Sequence, residues 1–226
     1  MGRSSKWLVL CLLVPSCSDG TSHDAMVPVD IDNGTCGDLV RFTGEYVDWD
    51  ESGSSFCGVF GAMFRARDGG GMSSTAPNGR FDLCVPDQPI TLVDITPPAQ
   101  PSGCSSMPGS YSMPGIAVAS KNVIFAGGFW SGRSFVVGRL TTDPTKAQVF
   151  VHVNGTPRPV SIGAAHGPAQ TRTGTSWAPG DTGQDVFFPD VDPSGGQTTI
   201  MADRAIVPAS IPLVAGTMTN VSIVLK

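Results

Sequence analysis

Charge, histidine and helical periodicity are all scarce in this sequence. Charged residues make up 15% of its 226 positions. No segment keeps an apolar 3.6-residue period for three turns, so the chain reads as all-β. It has three histidines, of which His152 and His166 lie in the part expected to fold. Nothing matches His-Glu-x-x-His, Gly-x-Ser-x-Gly or a glycine-rich phosphate loop followed by a helix, and no pair of titratable residues is placed as acid and base. Catalysis is therefore not expected, and His152, within an alternating apolar strand, reads as structural. Cys-x-x-Cys spacing is missing too, which argues against a zinc site, and no metal or cofactor is expected. A basic stripe is also lacking. The formal charge is −5, and removing residues 1–16 takes away Arg3 and Lys6 but no acid, giving −7. Such a chain matches phosphate backbones poorly, and nucleic acid is not expected as a partner. The apolar run Trp7-Leu8-Val9-Leu10-Cys11-Leu12-Leu13-Val14 falls far short of the roughly 20 residues a membrane-spanning helix needs.

Glycine (28) and proline (19) are abundant, about a fifth of the chain against a usual ~12%. They are spread among β-branched runs, as expected of many short strands joined by tight turns. At the N-terminus, Arg3 and Lys6 precede the apolar run and small residues follow it, the pattern of a secretory signal over residues 1–16. Val14-Pro15-Ser16-Cys17 resembles the bacterial lipoprotein signal. Cys17 is thus the expected lipidation site, and residues 17–35 form a polar tether. This places the protein in the bacterial cell envelope, anchored by lipid to the outer membrane on its periplasmic or surface face, with the membrane as one partner.

The folded part is organised around Ala76-Pro77-Asn78-Gly79-Arg80-Phe81-Asp82-Leu83-Cys84-Val85-Pro86. Pro77, Asn78 and Gly79 suit a bulged hairpin turn, with Gly79 able to take the left-handed conformation. Phe81, Leu83 and Val85 then alternate with Arg80, Asp82 and Cys84 until Pro86, which has no N–H to donate, ends the ladder. Further strands are expected at 39–47, 58–66, 72–75 and 89–95, then at 116–118, 123–125 and 134–137. A boundary falls near 141–144. A second series runs through 147–153, the hairpin signal Asn154-Gly155, 160–165, 186–188, 198–201, 206–207 and 220–225.

The strand ending near Val47-Asp48, the Gly-Ala strand, the Thr/Ser-rich strand and then Asn78-Gly79-Arg80-Phe81 resemble the carboxypeptidase regulatory-like domain family over roughly residues 38–97. The resemblance implies a transthyretin-like (prealbumin-like), Greek-key β-sandwich. In carboxypeptidases that domain is a non-catalytic appendage, which implies no peptidase activity here. Residues 215–225 resemble the closing strand of the same family. The expected organisation is two such sandwiches, 36–140 and a divergent one over 145–226. The implied function is a non-catalytic binding or scaffolding module whose partner is an envelope protein or a polysaccharide.

Once Cys11 leaves with the signal and Cys17 carries lipid, Cys36, Cys57, Cys84 and Cys104 remain for two disulfides, with three connectivities open. Strand parity puts Cys57 and Cys84 on the same outward side, favouring Cys57–Cys84 with Cys36–Cys104. Three acidic groups, around Asp30 and Asp32, around Asp48, Asp50 and Glu51, and at Asp181, Asp185, Asp190 and Asp192, read as solvated turn residues, with calcium binding by acidic loops as the competing role. Trp49, Trp130 and Trp177 lie in or beside Gly- or Asp-rich stretches. As loop aromatics they would stack on sugar rings, making a carbohydrate-binding module the alternative; core filling is the competing role. Neither reading needs an undetected hydrolase, for which only the acidic groups speak.

Overall fold

The computed structural model describes residues 36–48, 57–98, 113–120, 125–129, 142–173, 176–206 and 210–225, all within the compact unit Thr35–Lys226. The early strands are β1 (Val40–Asp48), β2 (Cys57–Gly58), β3 (Met63–Ala66), β4 (Met72–Ser74), β5 (Arg80–Val85), β6 (Ile90–Thr96), β7 (Gly115–Ser120) and β8 (Phe125–Phe129). The later ones are β9 (Ala147–Asn154), β10 (Arg158–Ile162), β11 (Gln170–Thr173), β12 (Ser176–Pro179), β13 (Thr182–Gly183) and β14 (Asp185–Val191). After a 3-10 turn at Pro193–Gly195 come β15 (Gln197–Thr198), β16 (Ile200–Ala202), β17 (Ala205–Ile206), β18 (Ile211–Pro212) and β19 (Met218–Leu225). The described residues contain no α-helix, so the all-β expectation holds.

One long sheet runs through both halves in the order β12-β11-β14-β9-β19-β7-β6-β3-β4. Its pivot is β19, parallel to β7 on one side (Val221 opposite Val118) and to β9 on the other (Val221 opposite Val151). Strands expected in two separate series thus share a sheet. Residues 218–223 are all buried, as a strand covered on both faces and paired on both edges requires.

The main cores of the two halves lie on opposite faces of the sheet. In the first half, Phe64, Ala66, Val93, Ile95 and Ala117 pack against Phe42, Tyr46, Phe81, Leu83 and Val85 of a second sheet, in which β1 pairs with β5, β2 and β8. Phe64 stacks on Phe81 with ring centroids 4.0 Å apart, and Tyr46 meets Phe64 edge-on. In the second half, Val149, Val151, Val186, Phe188, Val221 and Ile223 pack against Val160, Ile162 and Ile200 of the small sheet β13-β10-β16, and against Ile211 and Leu213. Ala117 belongs to the first core and its neighbour Val118 to the second. This is the side alternation of one strand put to two uses.

Both Asn-Gly signals reverse the chain, but neither makes a hairpin within one sheet. The turn at Pro77-Asn78-Gly79 carries the chain from β4 in the long sheet to β5 in the covering sheet, and Asn154-Gly155 carries it from β9 to β10 in the same manner. Gly79 has φ +78°, and a Cβ there would meet the Tyr46 carbonyl oxygen at 2.3 Å. Glycine is therefore required both by conformation and by the closeness of β1. Beside this turn the buried Thr75 hydroxyl donates to the Val59 carbonyl at 2.5 Å and accepts from the Ala62 N–H at 2.9 Å. That pair of bonds stitches the 59–62 turn to the strand leaving β4. The expected strand 58–66 is accordingly two, β2 and β3, broken at Gly61 (φ +81°).

The cysteine pairing differs from the expected one: Cys84 is bonded to Cys36. On β1, Cys84 stands opposite Arg41 and Cys57 opposite Asp48. Seven residues of strand span roughly 23 Å at ~3.3 Å each, far beyond disulfide reach. Parity places Cys84 on the outward side, where it lies, but is silent about distance along the strand. A turn in which the Leu39 N–H bonds the Cys36 carbonyl at 3.0 Å brings Cys36 back beside the strand; Cys104 lies outside the described residues. Peptide mapping without reduction should yield one species linking the Cys36 and Cys84 peptides. Cys36→Ser should lower stability by about 2–4 kcal/mol, because the bond restricts a long loop in the unfolded chain.

Candidate functional site

Two polar constellations stand out, one inside the sheet and one at its surface. The inner one is a row across five neighbouring strands of the long sheet. Trp177 on β12 stands opposite Arg172 on β11, the β11–β14 register continues from Arg172 to Asp185, Asp185 faces His152 on β9, and His152 faces Ser222 on β19. His152 Nδ1 donates to Asp185 Oδ1 at 2.7 Å, and Arg172 Nη1 lies 3.6 Å from Asp185 Oδ2. The His152 side chain is 20% exposed and those of Asp185 and Arg172 11% each.

Serine, histidine and aspartate in that order have the sequence of roles of a nucleophilic triad, but the setting does not support acyl transfer. Ser222 is 3% exposed in the most central strand, whose backbone is paired with β7 through Val221 and with β9 through Val224. An oxyanion needs donors aimed at it, whereas these amides serve the ladder. The row instead satisfies buried charge: a carboxylate between a guanidinium and an imidazole loses much less on desolvation than one alone. It adjoins a third apolar cluster of Phe150, Trp177, Phe187 and Met218, with Met113 against it.

The outer constellation is a groove of about 460 Å³ between the loop after β10 and the 3-10 turn, lined by residues 163–165, Asp192, Ser194, Gly195, residues 197–199 and Ser210. Its walls are tied down by hydrogen bonds. Asp192 caps the turn, accepting from the Ser194 N–H at 3.1 Å. The Gly163 N–H bonds the Thr199 carbonyl at 3.1 Å, the Ala164 N–H bonds the Thr198 hydroxyl at 2.8 Å, and the Asp192 N–H bonds the Ala165 carbonyl at 2.8 Å. The backbone N–H and then the hydroxyl of Ser194 hold the Asp192 carboxyl below its usual range, with a smaller contribution from Lys146, whose Nζ is 4.0 Å away. Asp143 is held low likewise by the hydroxyl and N–H of Thr145. Because both folded-state values are depressed, their stabilisation is present above the unfolded carboxylate value and is lost as pH falls through the folded one. The melting temperature should therefore decline below about pH 4, and Asp192→Asn should shallow that decline.

The residues singled out from sequence are scattered by the fold. Cys17, Trp49, Cys104 and Trp130 lie outside the described residues. Cys36 and Cys84 form the disulfide, and Cys57 begins β2. Trp177 is not a loop aromatic. It sits in β12, 9% exposed, edge-on to Phe150 and Phe187 with centroids 6.5 Å away, so it fills a core and offers no face to a sugar ring. Among the late acids, Asp185 is in the buried row. Asp190 takes φ +51° where β14 loses register with β9, and its carboxylate accepts from the Asp143 N–H at 2.7 Å. Asp181 remains exposed. His166 is exposed and edge-on to Phe188, 5.0 Å between centroids.

Among the described residues no three His, Cys, Asp or Glu side chains converge as metal ligands, and no helix is long and apolar enough to cross a membrane. The groove had one trace in sequence, the Asp-Pro-Ser-Gly-Gly run at 192–196, which announces a turn but not a concave wall. Comparison with protein-family models, curated proteins and solved structures finds no match to this chain.

Proposed function

We propose that this chain is a lipid-anchored protein of the bacterial cell envelope that works as a non-catalytic binding or scaffolding module, held to the membrane through Cys17. Its two strand layers are read as transthyretin-like, Greek-key sandwiches of the carboxypeptidase regulatory type, the second divergent, with one sheet in common. Supporting that reading, each half has its own apolar core.

The observation that carries the functional reading is the division of polar groups. The histidine and its carboxylate partner are engaged with each other and with Arg172 inside the sheet, while the surface groove carries hydroxyls, an amide and one carboxylate among glycines and alanines. Such a surface recognises and does not transform; general acid–base chemistry needs a titratable pair around a reacting atom. The partner is an envelope protein or a polysaccharide, and the groove favours the second.

The test is a purified full-length preparation run in parallel against a broad panel of hydrolase substrates and a glycan array. Retention on immobilised glycan without turnover is the expected result. Hydrolysis abolished by His152→Gln would overturn the reading.

A further inference from the structure

We infer that the groove between the loop after β10 and the turn at 192–199 is a subsite for a neutral, hydroxylated chain such as an oligosaccharide, an assignment that rests on the binding-module reading and gives it a place and a ligand class. The volume, about 460 Å³, lies within the range of roughly 300–1,000 Å³ typical of small-ligand sites. The chemistry of the wall then narrows the ligand. Thr199 and Ser194 supply hydroxyls, Gln197 an amide, and Asp192 a carboxylate. Each hydroxyl of a sugar both donates and accepts, so a wall mixing an acceptor-only carboxylate with an amide and hydroxyls can satisfy adjacent hydroxyls together. No cationic residue lines the groove and Asp192 is its sole acid, so the lining offers no counter-charge to anions such as acidic sugars or phosphates.

A sugar ring also has an apolar C–H side, and the sheet supplies its counterpart. Ser161 stands opposite Met201 in the β10–β16 register. The same register continued by two residues brings Gly163 opposite Thr199, and there the Gly163 N–H bonds the Thr199 carbonyl. Residues 161, 163, 199 and 201 are all exposed on one face, and Met201 is 55% exposed. A large apolar side chain is thereby presented beside the hydroxyl-lined groove. Gly163 keeps the mouth open: a Cβ there would lie 2.8 Å from Thr199 Oγ1.

The experiment titrates the full chain with neutral oligosaccharides (β-glucan, α-glucan, mannan and chitin hexamers) and with hexagalacturonate as the acidic counterpart. Calorimetry and amide NMR shifts are the readouts. At least one neutral oligomer should bind, with shifts centred on residues 163–165 and 194–199, and hexagalacturonate should not. Asp192→Asn should weaken binding about tenfold, the loss of a hydrogen bond to a charged group, and Met201→Ala should weaken it with the melting temperature unchanged. Gly163→Val should block the mouth; if it disturbs the fold, Thr199→Val tests the same wall from an exposed position. If neutral oligomers bind but shift only amides elsewhere, or if Asp192→Asn and Met201→Ala both bind as the parent does, the groove assignment is overturned while the binding-module reading stands. If no neutral oligomer in the panel binds at millimolar concentration, the ligand class is wrong. Turnover of an oligomer would instead overturn the non-catalytic reading.

Discussion

Val221→Asp in β19 is expected to unfold both halves of the protein together. Val221 is completely buried, pairs with Val118 and Val151, and points into the second core. A carboxylate there has no cationic partner among the residues of that core, which are all apolar. It must either lose its hydration or take up a proton, at a cost on the order of 4 kcal/mol or more. Domains are stable by only about 5–15 kcal/mol, so this is a large share of the total. Because β19 is the strand through which the halves join, the amide signals of Phe64 in the first core and Val149 in the second should broaden or vanish at the same denaturant concentration. Loss of Val149 with Phe64 unaffected would show that the halves fold separately.

The second large effect is expected at Asp185. Asp185→Ala removes the carboxylate between Arg172 and His152 and leaves a guanidinium only 11% exposed without its acid. Breaking one side of a buried ion pair typically costs about 3–5 kcal/mol; the remaining exposure of His152 brings the expectation toward about 3 kcal/mol, or roughly 6–12 °C in melting temperature. The informative comparison is Asp185→Leu combined with Arg172→Met and His152→Leu. If the row only neutralises buried charge, the triple variant recovers most of the stability lost by Asp185→Ala, since apolar groups of similar volume replace a desolvated network at little cost. A triple variant no more stable than the single one would mean that the row specifies strand register as well.

The part of this fold that was legible in the sequence is the part governed by near neighbours. Alternation predicted the buried faces of Phe81, Leu83 and Val85 on β5 and the outward side of Cys84, and these hold. Turn chemistry located both Asn-Gly reversals. It could not say to which sheet the chain would return, because a turn fixes a change of direction and burial fixes the partner. The parallel pairings of β19 join residues about 70 and about 100 positions apart and leave no local trace beyond a strand that is buried on both faces. Strands β11 to β13 escaped notice because they are short and rich in polar residues, with Gln170-Thr171-Arg172-Thr173 as an instance.

The candidate sites were less legible for the same reason. Trp177, Arg172, Asp185, His152 and Ser222 come from five strands, and nothing in their spacing along the chain anticipates a row. Pro179 and Gly180 beside Trp177 have the composition of a loop, yet the segment is an edge strand, where proline is tolerated because one side of the ladder is open. The groove depends on Gly163 meeting Thr199, a contact made by register and not by motif.

Native-state hydrogen exchange of the oxidised full chain tests the central structural claim most directly, that one sheet through β7, β19 and β9 unites the two cores. The slowest amides of β6, β7, β9 and β19 should exchange with a single opening free energy and a common denaturant dependence. Two groups, with residues 63–120 opening independently of 147–225, would contradict it.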